Sequence, residues 1–227
     1  MPGVVRFVKS NDDPKLLCGE MVRISRMIFA FLALIWVGFL LFGKRFILLW
    51  VGEDSLDAYF VTMVLMSAYL FILTESIGTQ IMWARNEHKE QSILKFVIVL
   101  LNIVLTIFLI KWEPLRGATI GTFISLFLGD VIVMNVIFRW KLKISLTQYY
   151  WGLFKGIVPC LAITFTAGWF LRYIPLNGWL GFAVCIAALV LVYGVSMLLF
   201  GFNKYEKGLI GSIIKKIFRR KKQHESV

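Results

Sequence analysis

Long apolar runs separated by short polar segments constrain this chain more than any other feature. The longest run, Tyr59–Ala84, carries a single charged side chain, the carboxylate of Glu75. About 20 consecutive apolar residues suffice to cross a bilayer as a helix. In lipid only helices and closed barrels satisfy the backbone, and barrel strands alternate apolar and polar residues over about ten positions. These continuous runs therefore predict an all-α polytopic membrane protein.

Charged or turn-forming residues divide the apolar sequence into six expected transmembrane helices. The expected spans are Met27–Gly43, Tyr59–Ala84, Phe96–Ile110, Gly117–Phe138, Tyr149–Tyr173 and Trp179–Gly201. The first and third are short, and flanking Lys and Arg side chains that reach the interface extend them. Asn11–Pro14 is typical of a turn or helix start. We expect an interfacial loop at Lys44–Ala58 and a kink at Pro159.

Basic residues are unevenly distributed between the polar segments. The net charge is +12, and most of the 25 Lys and Arg residues lie in alternate segments, with the largest group in the tail after Phe202. Because cytoplasmic loops are enriched in Lys and Arg, this pattern predicts a multi-pass protein with both termini in the cytoplasm. The same distribution explains the positive charge without nucleic acid as a partner.

Motifs of known enzyme chemistry are missing from the sequence. We find no phosphate-binding GxxxxGK[ST], no HExxH and no GxSxG. The chain has two histidines, and its three cysteines, Cys18, Cys160 and Cys185, are too scattered for a metal site or disulfide framework. The sequence therefore predicts a protein that is not an enzyme and needs neither metal nor cofactor.

Polar side chains inside the expected spans are the candidate substrate- or cation-binding residues: Glu75, Asn102, Asp130 and Asn135. A carboxylate inside a membrane span costs about 2.5–3.5 kcal/mol on insertion scales and usually faces a bundle interior. One interpretation gives the two acids a role in substrate handling or cation coupling, with Glu75 facing a central water-accessible cavity. The alternative is a structural seam, with the two asparagines as interhelical hydrogen-bonding groups.

Small residues recur every four positions in the fourth expected span, at Gly117, Gly121, Ser125 and Gly129. Such a ladder lets two helix backbones approach closely, so we expect tight packing there. In the tail, isoleucines at helical spacing alternate with the basic residues Lys215, Lys216, Arg219 and Arg220. This pattern is typical of an amphipathic helix attracted to anionic lipid, or of a simple positive anchor on the cytoplasmic side.

Several stretches together resemble the Wzx-type polysaccharide flippases, which belong to the superfamily that includes MATE exporters and lipid II flippases. The resembling stretches are MPGVVRFVKSNDDPK, FGKRFILLWVGED, IMWARNEHKEQS, and VIVLLNIVLTIFLI followed by LRGATIGTFIS. Their order and spacing cover residues 1–140. The resemblance implies that the chain forms part of a MATE-like fold, in which two helical bundles rock about a central cavity. It also implies an undecaprenyl-type lipid-linked oligosaccharide as substrate, moved across the inner membrane for surface polysaccharide biosynthesis.

The resemblance also implies a division of the chain. Residues 1–140 would form four helices of the C-terminal flippase bundle, residues 141–202 two additional helices, and residues 203–227 a basic cytoplasmic tail. The N-terminal bundle, with its basic substrate-facing residues, would be missing from this chain, which would come from a truncated or split gene or be a piece of a longer protein. Two rival functions are a MATE-like cation-coupled exporter of small molecules and a non-transporting scaffold for polysaccharide-assembly enzymes.

Overall fold

The structure is a computed structural model that describes residues 13–87, 89–174 and 178–202, and every regular element in these ranges is helical. The α-helices are α1 Pro14–Trp50, α2 Asp57–Thr74, α3 Ser76–Ala84, α4 Lys89–Leu109, α5 Pro114–Leu126, α6 Met134–Lys141, α7 Leu146–Phe154, α8 Ile157–Leu171 and α9 Gly178–Ser196. A 3₁₀ turn at Glu53–Ser55 precedes α2. One π-helical segment, Phe127–Val133, joins α5 to α6, and another, Met197–Gly201, extends α9.

Five helical segments of the described chain are long and apolar enough to cross a membrane. They are Pro14–Trp50, Glu53–Ala84, Lys89–Leu109, Pro114–Lys141 and Gly178–Gly201. A sixth is formed if α7 and α8, which meet at a bend of 41°, act as one span. The prediction of an all-α polytopic membrane protein is therefore confirmed for the described residues, with five or six spans.

The first helix is longer at both ends than the sequence predicts. It begins at Pro14, where the side chain of Asp13 accepts a hydrogen bond from the backbone N–H of Lys15 at 2.9 Å, as expected for an N-cap. It continues to Trp50 and stops before Gly52, which has φ +102°. The loop expected from Lys44 is therefore wrong as far as Trp50, because the apolar helical pattern continues past the charged pair at 44–45.

The fifth expected span is interrupted at a different residue from the one the sequence suggests. The chain breaks at Lys155–Gly156, where Gly156 has φ +85°, and α8 then runs without interruption through Pro159. Proline is tolerated in the first turn of a helix, since the N–H that it lacks has no intrahelical partner there. The kink expected at Pro159 is therefore wrong, and the left-handed glycine produces the bend.

Helix α1 is the centre of the packing. It contacts α2 and α3 on one side and α7, α8 and α9 on the other, while α5 packs against both α2 and α4. The main apolar core joins residues of α1, α3, α4, α6, α7, α8 and α9. Large apolar side chains on the outer face of α4, such as Phe96 and Phe108, are more than 60% exposed, as expected for a surface in contact with lipid.

Candidate functional site

Glu75 lies at a break in the second span, between α2 and α3. The Thr74 hydroxyl donates to the Leu70 carbonyl at 2.6 Å, a contact that often bends a helix. The N–H of Gly78 bonds to the carbonyl of Glu75 at 2.9 Å. The carbonyl of Thr74 instead accepts a hydrogen bond from Ser25 Oγ of α1 at 2.7 Å. The break therefore ties the second span to the first.

The carboxylate of Glu75 is held by donors from two other helices. The hydroxyl of Tyr150 on α7 donates to Glu75 Oε1 at 2.5 Å, and Asn135 Nδ2 on α6 donates to Glu75 Oε2 at 2.9 Å. Asn135 Nδ2 also lies 2.7 Å from the Tyr150 hydroxyl. Only 2% of Glu75 is exposed. The three side chains thus form one buried hydrogen-bonded cluster, named here the Glu75 cluster.

A second chain of hydrogen bonds runs beside the Glu75 cluster. The hydroxyl of Tyr149, adjacent to Tyr150 on α7, donates to Ser25 Oγ at 3.0 Å. Ser25 in turn donates to the Thr74 carbonyl next to Glu75. Both Tyr149 and Ser25 are fully buried. Helix α7 is therefore fastened to α1 and to the break in the second span by two successive tyrosines.

The predicted exposure of Glu75 to a central cavity is not what the structure shows. Among the described residues lie cavities of about 430, 480 and 670 Å³, and Glu75 lines none of these three. The first two lie in apolar grooves beside α1, and the third is an open pocket lined by Trp83, Gln91, Ser92 and Lys95. Glu75 is packed because α6 and α7 bring donors directly onto both of its oxygens.

Asp130 belongs to a different polar contact. It lies in the π-helical segment Phe127–Val133, and its Oδ1 accepts from Lys95 Nζ of α4 at 2.6 Å. The Asp130 side chain is 7% exposed and that of Lys95 is 52% exposed. The other oxygen, Oδ2, is buried and has no hydrogen-bond partner among the described residues. This ion pair joins the third and fourth spans near the polar end of α4.

The small-residue ladder of α5 lies directly against α4. A Cβ at Gly117 would overlap the backbone carbonyl of Leu109, and one at Gly121 would lie 3.2 Å from the N atom of Thr106. Ser125 Oγ accepts from Asn102 Nδ2 at 3.0 Å in the same seam. Asn102 thus forms an interhelical hydrogen bond, which agrees with one of the two interpretations given for it. It lies outside the Glu75 cluster.

Of the four candidate binding residues, the structure brings together Glu75 and Asn135. Sequence reasoning did not select Tyr150, Tyr149 or Ser25, because the two tyrosines resemble interfacial residues at a span entrance and Ser25 lies in a polar lead-in. The tail residues Lys215, Lys216, Arg219 and Arg220 lie outside the described residues. Within the described ranges, no group of three or more His, Cys, Asp or Glu side chains is placed to hold a metal ion.

Comparison with protein families, with curated proteins and with solved structures finds no match to this chain.

Proposed function

We propose that this chain forms the C-terminal part of a flippase for lipid-linked oligosaccharides, of the Wzx type. In this proposal the chain lies in the inner membrane with both termini in the cytoplasm. It works with an N-terminal helical bundle to move an undecaprenyl-linked oligosaccharide outward for surface polysaccharide biosynthesis. Anionic lipids hold its basic tail, and the chain itself catalyses no covalent reaction.

The observation that carries the proposal is a buried carboxylate at a helix break, shared by three spans. A carboxylate inside a membrane is costly, and such residues commonly mark a substrate or ion pathway. Transporters built from paired bundles place their sites near the bilayer midplane, where helices are discontinuous. The Glu75 cluster has the first of these features and lies at an irregular turn within one span, because Glu75 separates α2 from α3 and receives donors from α6 and α7.

The positions of the resembling stretches at helix ends also support the proposal. FGKRFILLWVGED covers the end of α1 and the left-handed Gly52, and IMWARNEHKEQS contains Asn86, which has φ +59° just after α3. LRGATIGTFIS follows Pro114 at the start of α5. Glycine and asparagine favour backbone with positive φ, so Gly52 and Asn86 have a physical reason to recur at these points.

The test is complementation of a cell that lacks its polysaccharide flippase. The full 227-residue chain is produced alone, together with a separately encoded N-terminal bundle of a Wzx-type flippase, or not at all. Surface polysaccharide is measured by antibody staining, and membrane levels of the chain by immunoblot. We expect restoration only when both parts are present. Failure to restore polysaccharide in either case, at normal membrane levels, contradicts the flippase proposal.

A pair of carboxamide variants then tests the site. Glu75→Gln removes the charge and replaces one carboxylate oxygen with an NH2 group. This NH2 group is a donor and faces Asn135 or Tyr150, which are donors themselves. Glu53→Gln makes the same change at an exposed carboxylate outside the bundle. Because a hydrogen bond to a charged group contributes about 1.5–3 kcal/mol, we expect Glu75→Gln to reduce restored polysaccharide to about a tenth or less. Glu53→Gln should match the wild type, and equal activity of both variants would exclude the cluster from transport.

The buried carboxylate also supports a second candidate function, a cation-coupled exporter of small molecules. The same strains distinguish the two functions by a second measurement, the efflux of a fluorescent organic cation with and without an imposed ion gradient. Gradient-dependent efflux without restored polysaccharide would favour the exporter. Restored polysaccharide without efflux would favour the flippase.

A further inference from the structure

Arg26 is a buried cation in the first span that belongs neither to the sequence motifs nor to the site of the proposed function. It lies within α1, and only 4% of the residue is exposed. Its guanidinium donates to three backbone carbonyls: Nη1 to Gly152 at 2.6 Å and Lys155 at 2.7 Å, and Nη2 to Gly201 at 2.9 Å. A buried arginine in a membrane protein is costly unless polar groups surround it. These three carbonyls supply such polar groups.

The three carbonyls are available because two helices end at this point. Helix α7 ends at Phe154, and the left-handed Gly156 turns the chain into α8. The π-helical extension of α9 ends at Gly201. The last carbonyls of a helix lack intrahelical partners and carry the negative end of the helix dipole. Two helix C-termini therefore point their free carbonyls at the same cation.

The backbone at this junction is packed too closely to rearrange easily. A Cβ at Gly156 would lie 3.1 Å from the carbonyl oxygen of Phe200 and 3.2 Å from that of Gly201. The thiol of Cys160 also donates to the Ser196 carbonyl at 3.2 Å. The break between α7 and α8 therefore packs directly against the end of α9 around the guanidinium.

We propose that the carbonyls of Gly152, Lys155 and Gly201 form a guanidinium-binding site that Arg26 fills from within the chain. In discontinuous membrane helices, C-terminal carbonyls of this kind coordinate cations. The planar guanidinium presents several N–H donors in a fixed fork, whereas a lysine ammonium is a compact point charge. The site therefore selects a planar, multiply donating cation.

Occupation of the site by Arg26 positions α7 relative to the Glu75 cluster. Arg26 binds the C-terminal carbonyls of the helix that carries Tyr150, and Ser25 binds the neighbouring Tyr149. Tyr150 then reaches Glu75 Oε1. Arg26 is thus a positioning residue that acts on Glu75 through α7. This inference does not depend on the transport proposal, because it is tested on the purified chain alone.

The experiment is chemical rescue of Arg26→Ala in the full-length chain, purified in detergent. Thermal unfolding is followed while guanidinium chloride is added at millimolar concentrations, with sodium chloride and urea as comparison solutes. A ligand that binds only the folded state raises Tm, and above its Kd the rise follows the logarithm of the ligand concentration, whereas denaturant action lowers stability linearly. We expect a lower Tm for Arg26→Ala and a logarithmic rise with guanidinium only.

The matched control is Arg23→Ala, one turn earlier in α1. Arg23 is half-exposed and pairs with Glu20 at 2.9 Å. We expect its Tm to change little and to fall slightly with added guanidinium. If guanidinium lowers Tm in Arg26→Ala as it does in Arg23→Ala, or if sodium chloride rescues equally well, the proposed site is wrong.

Hydrogen exchange measured by mass spectrometry provides the local readout. We expect Arg26→Ala to speed amide exchange in Leu146–Phe154 several-fold relative to Lys89–Leu109, and guanidinium to reverse this. If Arg26→Ala does not fold, Arg26→Lys replaces it, because a lysine retains the charge without the fork. Faster exchange in α7 with α4 unchanged would support the positioning role. Wild-type exchange in α7 would overturn it.

Discussion

The glycine at the break between α7 and α8 offers the sharpest test of the fold. Gly156 has φ +85°, and an added Cβ would lie 3.1 Å from the carbonyl oxygen of Phe200 and 3.2 Å from that of Gly201. A left-handed conformation costs an L-residue about 1–2 kcal/mol. Overpacking against fixed neighbours adds about 1–3 kcal/mol. We therefore expect Gly156→Ala to lower the free energy of unfolding by about 2–5 kcal/mol.

Two other glycines separate these contributions. Gly178 has φ +72° and no described atom within 4 Å of an added Cβ, so Gly178→Ala measures backbone strain without a clash against the described residues. Gly194 lies inside α9, also with no described atom within 4 Å. We expect Gly178→Ala to lose about 1–2 kcal/mol. Gly194→Ala should gain about 0.5–1 kcal/mol, because alanine is the better residue in a helix interior.

The free energies are measured by reversible unfolding of the purified chain in mixed micelles, with SDS as denaturant and tryptophan fluorescence as the signal. From most to least stable, the expected order is Gly194→Ala, wild type, Gly178→Ala and Gly156→Ala. If Gly156→Ala and Gly178→Ala agree within about 0.5 kcal/mol, the usual uncertainty in comparing sites, the close approach to the end of α9 contributes nothing. If Gly178→Ala is as stable as the wild type, positive φ does not strain an alanine at this position.

Two further predictions concern the interface between the third and fourth spans. Gly117→Ala should lower the free energy of unfolding by about 1–3 kcal/mol, since its Cβ would meet the α4 backbone. Gly19→Ala, inside α1 with no described atom within 4 Å, should instead gain about 0.5–1 kcal/mol in the same assay, as at Gly194. Lys95→Met should cost about 1–3 kcal/mol by leaving Asp130 buried without its cation, and adding Asp130→Asn should recover part of that loss. A simple sum of the two single effects would contradict this coupling.

The sequence predicts the local devices of this fold well where they depend on neighbouring residues. Asp13 and Pro14 indicate the start of α1, and the helix begins there because a capping carboxylate and a proline at the first position act within one turn. The ladder at Gly117, Gly121 and Ser125 likewise indicates a close helix contact, and the contact lies on that face of α5. A four-residue repeat fixes a helix face whatever the partner is.

Only part of the candidate site can be predicted from the sequence. The burial cost of a carboxylate selects Glu75, and Asn135 appears as another polar residue inside a span. Tyr150 and Arg26 do not appear, because one resembles an interfacial aromatic residue and the other resembles a charge that flanks a span. Their partners lie far away in the chain: Glu75 and Tyr150 are 75 positions apart, and Arg26 and Gly201 are 175 positions apart.

The sequence by itself determines that this chain is helical and crosses a membrane several times. That conclusion follows from the solvent, because lipid offers no hydrogen bonds to the backbone and long apolar segments must satisfy their own. The tertiary structure alone decides that Glu75 is enclosed by α6 and α7 and that Arg26 closes two helix ends. Those contacts depend on which faces of distant helices meet. The pattern along a single helix shows which face is packed, but it does not identify the helix that packs against it.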